Sequence, residues 1–353
     1  MKLTSCRVFQ EHIPLTQPFT ISYHTTEAIT LHFVEWQTDT GHHGWGSASP
    51  GPRVTGETDE VCNAALQAMS AFQGEDVRHL PRLLRQLETE FPKAPAARAA
   101  ADMAFHDLLA RPRDLPLTDM LGRCHAALPT SVTLGLRSLD ETLAEAKEKV
   151  AQGFSVLKVK LGQNSEADLE LLRRLREELP QDILLRVDPN QGYDLQALRT
   201  MLTKFDELQL EFVEQPMPVS QTEELRSLPA AERQHLVLDE SLQSPGDALR
   251  YGFQDPLCGG FNIKLMKCGG LGPARQIANL SEQTGRTLMW GCNDESRLSL
   301  AAALHQALAC PTTRYLDLDG DLDLVRDPAQ GGYTIEKGIM IPLDQPGLGI
   351  TVP

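Results

Sequence analysis

The chain has 353 residues, of which 41% are hydrophobic and 23% are charged, a composition typical of a folded globular protein. The formal net charge of −15 argues against a nucleic-acid partner, because contacts to phosphate need clustered lysine and arginine. No signal-peptide pattern follows Met1, and no apolar run is long enough to span a bilayer, so we expect no membrane partner. The seven cysteines lack paired spacing, which predicts reduced thiols, a cytoplasmic location and no zinc motif.

Residues 1–123 predict an α+β unit, the first of two domains expected from the chain length. Alternating β-branched residues favour antiparallel strands at Val8–Leu15 and Ile29–Trp36. The polar and aromatic segment between them, which contains Tyr23 and His24, is predicted to be a mobile loop. Three helices are then predicted: one ending near Phe72, one at 78–90 and one at 94–110.

From residue 124 to 320, short apolar runs alternate with helix-sized gaps. The expected strand ends are Thr133, Lys160, Asp188, Glu214, Asp239, Lys264, Trp290 and Asp317. Strand–helix units of this kind predict an α/β fold with a closed parallel (β/α)7-8 TIM-type barrel. An open doubly wound sheet is the alternative, but no GxGxxG follows the first strand. Residues 321–353 are β-like and are predicted to return to the N-terminal unit.

Three carboxylates close successive predicted strands: Asp188, Glu214 and Asp239. Because the carboxyl ends of parallel strands meet at one face of a barrel, these acids would repel each other unless a cation lay among them. Three oxygen ligands with open positions suit magnesium, whereas zinc would favour histidine or cysteine. One such acid could simply solvate a loop, but three in register favour a Mg²⁺ site.

Lysines occupy two of the other predicted strand ends. Lys158 and Lys160 are two residues apart, so both side chains project to the barrel interior. Burying two ammonium groups is costly, but like charges and a nearby divalent cation would lower a lysine pKa towards neutrality and give a usable base. Lys264 ends the sixth strand, across the barrel mouth, so two lysines could remove a proton from one face of a carbon and return it on the other. The alternative is that these lysines extend from the barrel rim into solvent. Lys267 is predicted to be an ordinary charged residue of a loop.

Five motifs carry a resemblance to a known family: Lys158-Val159-Lys160, Asp188, Val213-Glu214-Gln215-Pro216, Leu238-Asp239-Glu240-Ser241 and Asn262-Ile263-Lys264-Leu265. With Gly44-Trp45-Gly46 and Thr55-Gly56-Glu57 in the N-terminal unit, nearly the whole chain resembles the enolase superfamily, muconate-lactonizing enzyme subgroup. The resemblance implies an N-terminal α+β capping domain completed by the C-terminal tail, and magnesium-assisted removal of a proton alpha to a carboxylate.

The same resemblance implies roles for the strand-end residues. The three acids would be the metal ligands. Lys160 and Lys264 would be the two bases, and Lys158 would help to neutralise the enolate. One departure is that Ser47-Ala48-Ser49 follows Gly46, where relatives commonly have a glutamate after the glycine.

The eighth predicted strand end indicates the substrate. Asp317 and Asp319 are similar to the Asp-x-Asp motif of the dipeptide epimerase branch, in which an acidic pair holds the free ammonium of a dipeptide. Two carboxylates at this spacing suit an ammonium on physical grounds as well. Because Asp321 and Asp323 continue the acidic run, a polar loop is the alternative.

Four further residues complete the predicted substrate site. Asp294 stands after the seventh strand, where the resemblance leads us to expect an apolar residue near the second side chain of a dipeptide. An aspartate there favours a cationic side chain in the substrate. Thr133 lies at the first strand end, while Tyr23 and His24 lie in the predicted loop, which should close over the site. We assign no proton-transfer chemistry to His24.

These observations predict an isomerase, a Mg²⁺-dependent dipeptide epimerase acting at the alpha carbon of the second residue. The alternatives are a cycloisomerase or an o-succinylbenzoate synthase on the same metal site, whose substrates carry no ammonium for the Asp-x-Asp pair. A non-catalytic ligand-binding barrel would be expected to have lost a ligand or a base, and none is lost. A homo-oligomer is compatible with the sequence.

Overall fold

The computed structural model describes residues 1–22 and 24–353. The chain begins with three antiparallel strands, β1 (Leu3–Ile21), β2 (His24–Thr38) and β3 (His43–Ala48). Four helices follow them: α1 (Asp59–Ala68), α2 (Leu80–Glu90), α3 (Pro95–Ala110) and α4 (Leu117–Leu121). This part is the α+β unit predicted from the sequence.

Strands β1 and β2 form one long hairpin, and this arrangement corrects the prediction of a loop before His24. The described residues on both sides of Tyr23 are paired, with Phe19 opposite Thr26 and Thr20 opposite Thr25. The Thr20 and Thr25 hydroxyls lie 2.9 Å apart. β-branched threonines favour the extended backbone, so the hairpin continues where polarity alone indicated a loop.

The sheet packs closely on the alanine-rich helix α3. A Cβ atom at Gly46 would lie 1.8 Å from the carbonyl oxygen of Ala100, so only glycine allows β3 to approach this helix. The buried Glu57 accepts hydrogen bonds from the first free amides of α3, at Ala96 (2.6 Å) and Ala97 (3.1 Å). The two glycine motifs noted in the sequence therefore fix the position of α3.

The second part is an eight-stranded parallel barrel. After a short strand, β4 (Leu128–Pro129), the barrel strands are β5 (Val132–Leu134), β6 (Val156–Lys160), β7 (Leu184–Asp188), β8 (Leu210–Glu214), β9 (Leu236–Leu238), β10 (Gly260–Ile263), β11 (Thr287–Gly291) and β12 (Thr313–Asp317). Neighbours along the chain are neighbours in the sheet. The Thr130–Leu316 bridge brings the first and last strands together, so the sheet is nearly closed. The predicted barrel and its strand ends are confirmed, each end within one residue.

Helices surround this barrel, as the strand spacing predicted. They are α5 (Leu139–Ala151), α6 (Ser165–Glu178), α7 (Leu195–Thr203), α8 (Ala230–Arg233), α9 (Pro245–Gly252), α10 (Leu265–Cys268), α11 (Leu271–Thr284) and α12 (Arg297–Leu308). The β8–β9 crossover is mainly a 3₁₀ segment, Val219–Ser227. None of the helices in the described part of the chain combines the length and the apolar character needed to cross a membrane.

The C-terminal tail adds four short strands: β13 (Gln330–Gly331), β14 (Tyr333–Glu336), β15 (Ile339–Pro342) and β16 (Ile350–Thr351). Strand β15 pairs with both β14 and β4. The tail also reaches the N-terminal part, because Asp107 accepts a hydrogen bond from the Leu348 amide (2.8 Å) and Arg111 donates to the Ile350 carbonyl (2.9 Å). The domain boundaries at 123/124 and 320/321 stay predictions.

Candidate active site

A cavity of about 610 Å³ lies between the carboxyl ends of the barrel strands and the β1–β2 hairpin. The barrel contributes lysines and acids, and the N-terminal part contributes hairpin residues and the segment 49–54. Hydrogen bonds hold the hairpin over the barrel, among them those from the Ser22 hydroxyl to the Asn190 carbonyl (2.9 Å) and from the Leu136 amide to the Thr20 carbonyl (3.0 Å). The predicted site residues that line the cavity are His24, Thr133, Lys158, Lys160, Lys264, Asp294, Asp317 and Asp319.

Below the cavity lies a layer of buried charges that we call the charged floor. It consists of Lys158, Lys160, Lys264, Lys267, Asp188, Glu214 and Asp239, each at most 9% exposed. The acids end or follow three successive strands, β7, β8 and β9, because each apolar run is closed by a charged residue. Burial of so many charges is tolerated only because each is paired.

Lys160 and Lys264 enter the floor from opposite sides of the barrel. Lys160 ends β6 and lies 2.7 Å from the carboxylate of Asp188. Lys264 follows β10, four strands further round, and lies 2.9 Å from the carboxylate of Asp239. Both amines line the cavity, so a bound carbon atom can have one amine on each face.

Lys158 stands at the centre of the floor. Its amine lies 3.2 Å from Asp188, 2.8 Å from Glu214 and 2.8 Å from Asp317. The side chain is 2% exposed, which excludes the alternative that it reaches out from the barrel rim. A buried ammonium so placed is suited to stabilise negative charge that develops on a bound substrate.

The prediction that Lys267 is an ordinary loop charge was wrong. Its side chain is 3% exposed, and its amine lies 2.5 Å from the Asp239 carboxylate. The amine also donates to the backbone carbonyls of Asp239 and Asn262. Asn262, which sequence reasoning missed as a site residue, donates to Glu214 at 2.7 Å. A lysine flanked by Leu265, Met266 and Cys268 was the signal that this position is buried.

In the protein without a metal, the pKa values of Lys264 and Lys158 are raised, whereas the sequence predicted that they are lowered. Burial lowers the pKa of Lys264, but the nearby carboxylates, Asp239 foremost, raise this pKa by more. The same balance, with Asp317 and Glu214 foremost, raises the pKa of Lys158. The predicted lowering therefore requires a divalent cation to offset the carboxylates.

The carboxylates of the floor fit a hard divalent cation. Burial, followed by the charge of Asp188, raises the pKa of Glu214 to about 8, so a cation bound beside this carboxylate would stabilise its ionised form. Glu214 Oε2 is buried and accepts no hydrogen bond from the described residues, although the Lys158 amine is 2.8 Å away. The donors are all oxygens, as magnesium prefers. In this arrangement no three of the described acids form a group that could hold a metal, and each acid of the floor is ion-paired with a lysine amine.

The two carboxylates of the Asp-x-Asp motif have different surroundings. Asp317 is 3% exposed and accepts a hydrogen bond from the Ser131 hydroxyl (2.6 Å) besides its contact with Lys158. Asp319 accepts a hydrogen bond from the Thr133 amide at 2.7 Å. Burial and the charge of Asp317 raise the pKa of Asp319 to about 7, which is the environment of a carboxylate that lacks a cation. The Thr133 backbone thus orients Asp319.

Two other predicted substrate residues, Asp294 and His24, also line the cavity. Asp294 is held from the N-terminal part, since the Ser49 hydroxyl donates to its carbonyl oxygen at 2.7 Å. This contact gives a role to the Ser47-Ala48-Ser49 segment that departs from the family pattern. His24 lies 3.0 Å from the guanidinium of Arg53. Tyr23 lies outside the described residues.

A parallel eight-stranded barrel with an α+β cap, whose strand ends gather acids and lysines in one cavity, defines a class of barrel enzymes. Residues 3–122 match the N-terminal domain of the mandelate racemase and muconate lactonizing enzyme family. Residues 141–353 match the enolase C-terminal domain-like family. The chain therefore belongs to the enolase superfamily.

Individual relatives match along the whole chain. The L-Lys-D/L-Arg epimerase of Methylococcus capsulatus is 53% identical over 100% of both chains. The L-Lys-D/L-Arg epimerase of Desulforapulum autotrophicum is 46% identical over 99% of both. The crystal structure of the dipeptide epimerase from Methylococcus capsulatus, complexed with Mg and the dipeptide L-Arg-D-Lys, superposes with a TM-score of 0.98 at 53% identity, covering 99% of this chain and 100% of that chain.

Proposed function

We propose that this chain is a Mg²⁺-dependent epimerase of dipeptides with cationic side chains, inverting the alpha carbon of the second residue. The observation that carries the proposal is the pair of buried amines, Lys160 and Lys264, which face one cavity from opposite sides of the barrel. Inversion needs one group to remove a proton from one face and another to deliver a proton to the opposite face.

The lysines perform the proton transfer between them. One amine, in its neutral form, takes the alpha proton and becomes an ammonium, while the carbon retains the electron pair. The ammonium on the other face then gives its proton to that carbon, so the configuration inverts and the overall protonation is unchanged. The central ammonium of Lys158 offsets the negative charge that develops on the substrate carboxylate.

The metal would be held by Asp188, Glu214 and Asp239. Bound Mg²⁺ supplies Lewis-acid polarisation of a carboxylate, which makes the alpha proton more acidic. The chain itself keeps the ligands in place, through Lys267 at Asp239 and Asn262 at Glu214. Both residues act by positioning.

The substrate class follows from the acids of the cavity. Asp317 and Asp319 suit the free ammonium of a dipeptide, and Asp294 adds a further carboxylate for a cationic side chain. The relatives from Methylococcus capsulatus and Desulforapulum autotrophicum, named L-Lys-D/L-Arg epimerases, support this class. Substrates of cycloisomerases and o-succinylbenzoate synthases would leave Asp319 and Asp294 without a cation, at a cost in binding free energy.

The cytoplasmic location predicted from the sequence stays a prediction. All seven cysteines are free thiols, which fits a reducing compartment. A homo-oligomer also stays a prediction.

The test is exchange of the alpha proton in deuterated water. With Mg²⁺, the protein should incorporate deuterium at the second residue of L-Ala-L-Lys and L-Lys-L-Arg and should form the epimers, followed by NMR and chiral chromatography. L-Ala-L-Glu tests the charge preference and should react more slowly.

N-acetyl-L-Ala-L-Lys, which lacks the ammonium, is the matched control and should also react poorly. Chelation of the metal should stop exchange and added Mg²⁺ should restore it. Absence of exchange with every dipeptide would overturn the proposal.

A further inference from the structure

Asp323 is a cavity residue with no role in the site described so far. It lies in the segment after β12, which the structure attaches to the hairpin strand β1. The carbonyl oxygen of Asp323 accepts a hydrogen bond from the Thr16 amide (2.7 Å), and the Val325 amide donates to the Pro14 carbonyl (3.1 Å). This backbone pairing fixes Asp323 between the hairpin and the cavity, so its carboxylate is held at a defined place beside the substrate site.

The carboxylate of Asp323 has no hydrogen-bond or ion-pair partner in the described part of the chain. Burial raises the pKa of Asp323, and the charges of Lys149 and then Arg137 lower it. Arg137 is itself engaged by Glu145 (3.4 Å) and by the side-chain oxygen of Gln17 (2.9 Å). Asp321, two residues earlier, shows the contrast, because it lies 3.7 Å from the guanidinium of Arg297 and does not line the cavity. Of the two acids that follow Asp319, Asp321 is therefore structural and Asp323 lines the cavity without a partner.

A second unpaired carboxylate independently indicates a cationic ligand. Asp294 lines the same cavity, is half-buried, and makes no side-chain hydrogen bond or ion pair with the residues described. Burial, followed by the negative charge of Asp323, raises the pKa of Asp294 to about 6. Such carboxylates gain strongly when a cation binds between them. We call Asp294, Asp319 and Asp323 the acidic wall.

The positions along the acidic wall distinguish its members. Asp294 follows β11, which pairs with β10, the strand that Lys264 follows, and it lines the same cavity as both reactive amines, so we place it beside the carbon that reacts. Asp319 is placed by Thr133 for the ammonium at the other end of the dipeptide. Asp323 follows Asp319 by one turn, in which the Leu322 amide donates to the Asp319 carbonyl (3.0 Å), and its backbone is paired with the hairpin strand β1, not with a barrel strand that carries a reactive amine.

From this placement we propose that Asp323 is a specificity-determining residue that binds the cationic side chain of the first residue of the dipeptide. The inference rests on the proposed function, because it takes the second residue as the one that reacts. Each of the three cations of a substrate such as L-Lys-L-Arg then has its own carboxylate: Asp319 for the ammonium, Asp323 for the first side chain and Asp294 for the second.

The test compares Asp323→Asn with the wild type on two dipeptides that differ only in the place of the cation. For L-Lys-L-Ala, we expect kcat/KM to fall about 10- to 100-fold, mainly through KM, because a charge-assisted contact is lost. For L-Ala-L-Lys, we expect a change of less than about threefold. Asp323→Glu should restore most of the activity on L-Lys-L-Ala, and Asp321→Asn is the matched control that should leave the ratio between the two substrates unchanged.

A measurement on the wild type avoids any effect of the substitution on folding. L-norleucyl-L-Ala has the length of L-Lys-L-Ala without the charge, and its kcat/KM should be at least about tenfold lower. Equal losses on both cationic dipeptides in Asp323→Asn, an unchanged ratio, or equal rates with norleucine and lysine would each overturn the role of Asp323. In all three cases the wild type would still epimerise dipeptides, whereas failure of the proposed function would appear as no exchange by the wild type.

Discussion

The charged floor and the acidic wall enclose the same cavity but differ in whether their acids have cationic partners. In the floor, Asp188, Glu214 and Asp239 each have a lysine amine within 2.9 Å. In the wall, Asp294 and Asp323 have no cationic partner among the residues that the structure describes. Paired buried charges hold a fixed geometry, whereas half-buried carboxylates without a partner are stabilised when a cation binds. The floor is therefore suited to a fixed reaction and the wall to recognition of a charged substrate.

The largest effect should come from removing a lysine of the floor. Lys160→Ala and Lys264→Ala should each reduce epimerisation by about a thousandfold or more, because inversion needs a proton-transfer group on each face. The formation of epimer and the exchange of the alpha proton in deuterated water should be measured separately, starting from each enantiomer at the second residue.

The matched control is Lys147→Ala, which removes a surface lysine paired with Glu178 at 2.6 Å. This variant should keep wild-type turnover. If either floor variant kept normal inversion, the assignment of two bases would be wrong, and the functional distinction between the floor and the wall would lose its basis.

A smaller, substrate-dependent effect should follow from a change in the wall. Asp294→Asn should lower kcat/KM for L-Ala-L-Lys by about 10- to 100-fold, because a charge-assisted contact to the second side chain is lost. L-Ala-L-Leu should be affected little or should react faster, since the cavity becomes less acidic. Steady-state kinetics with the two dipeptides measure this ratio, and a uniform loss on both would indicate that Asp294 belongs functionally to the floor.

The smallest effect should be a dependence of substrate preference on pH. With its pKa raised to about 6, Asp294 is ionised in only about a tenth of free molecules at pH 5 and in most at pH 7.5. The ratio of kcat/KM for L-Ala-L-Lys to that for L-Ala-L-Leu should therefore rise as the pH increases through 6, since only the ionised carboxylate attracts the cation. Taking the ratio cancels titrations that both substrates share, and a wild-type ratio as flat as that of Asp294→Asn would contradict the prediction.

The floor was largely predictable from the sequence because each of its strand-end residues closes a short apolar run. A lone charge such as Asp239 after Leu236-Val237-Leu238 indicates a strand end, and the barrel brings such ends together. Lys267 and Asn262 were not recognised because their partners, Asp239 and Glu214, are 28 and 48 residues away along the chain. Only the closed barrel determines which of these side chains meet.

The wall was less predictable, since it depends on contacts between parts of the chain that sequence patterns do not connect. Asp317, Asp319, Asp321 and Asp323 look alike in the sequence. Their roles separate only when Lys158 and Ser131 engage Asp317, Arg297 approaches Asp321, and Asp323 is fixed by Thr16. The loop predicted before His24 was wrong for a related reason, because cross-strand pairing outweighed its polar composition.

The backbone pairing of Asp323 with strand β1 has a consequence for the redesign of this enzyme. The Thr16 amide and the Leu15–Leu324 bridge make the segment after β12 an added edge of the hairpin. Replacing the hairpin with that of another relative would therefore move the carboxylate of Asp323, although Asp323 lies more than 300 residues later in the sequence than Thr16. Exchanging residues 14–16 together with residues 323–325 would keep the backbone pairing between the two segments. Substrate preference should therefore be transferred only when both segments are exchanged together.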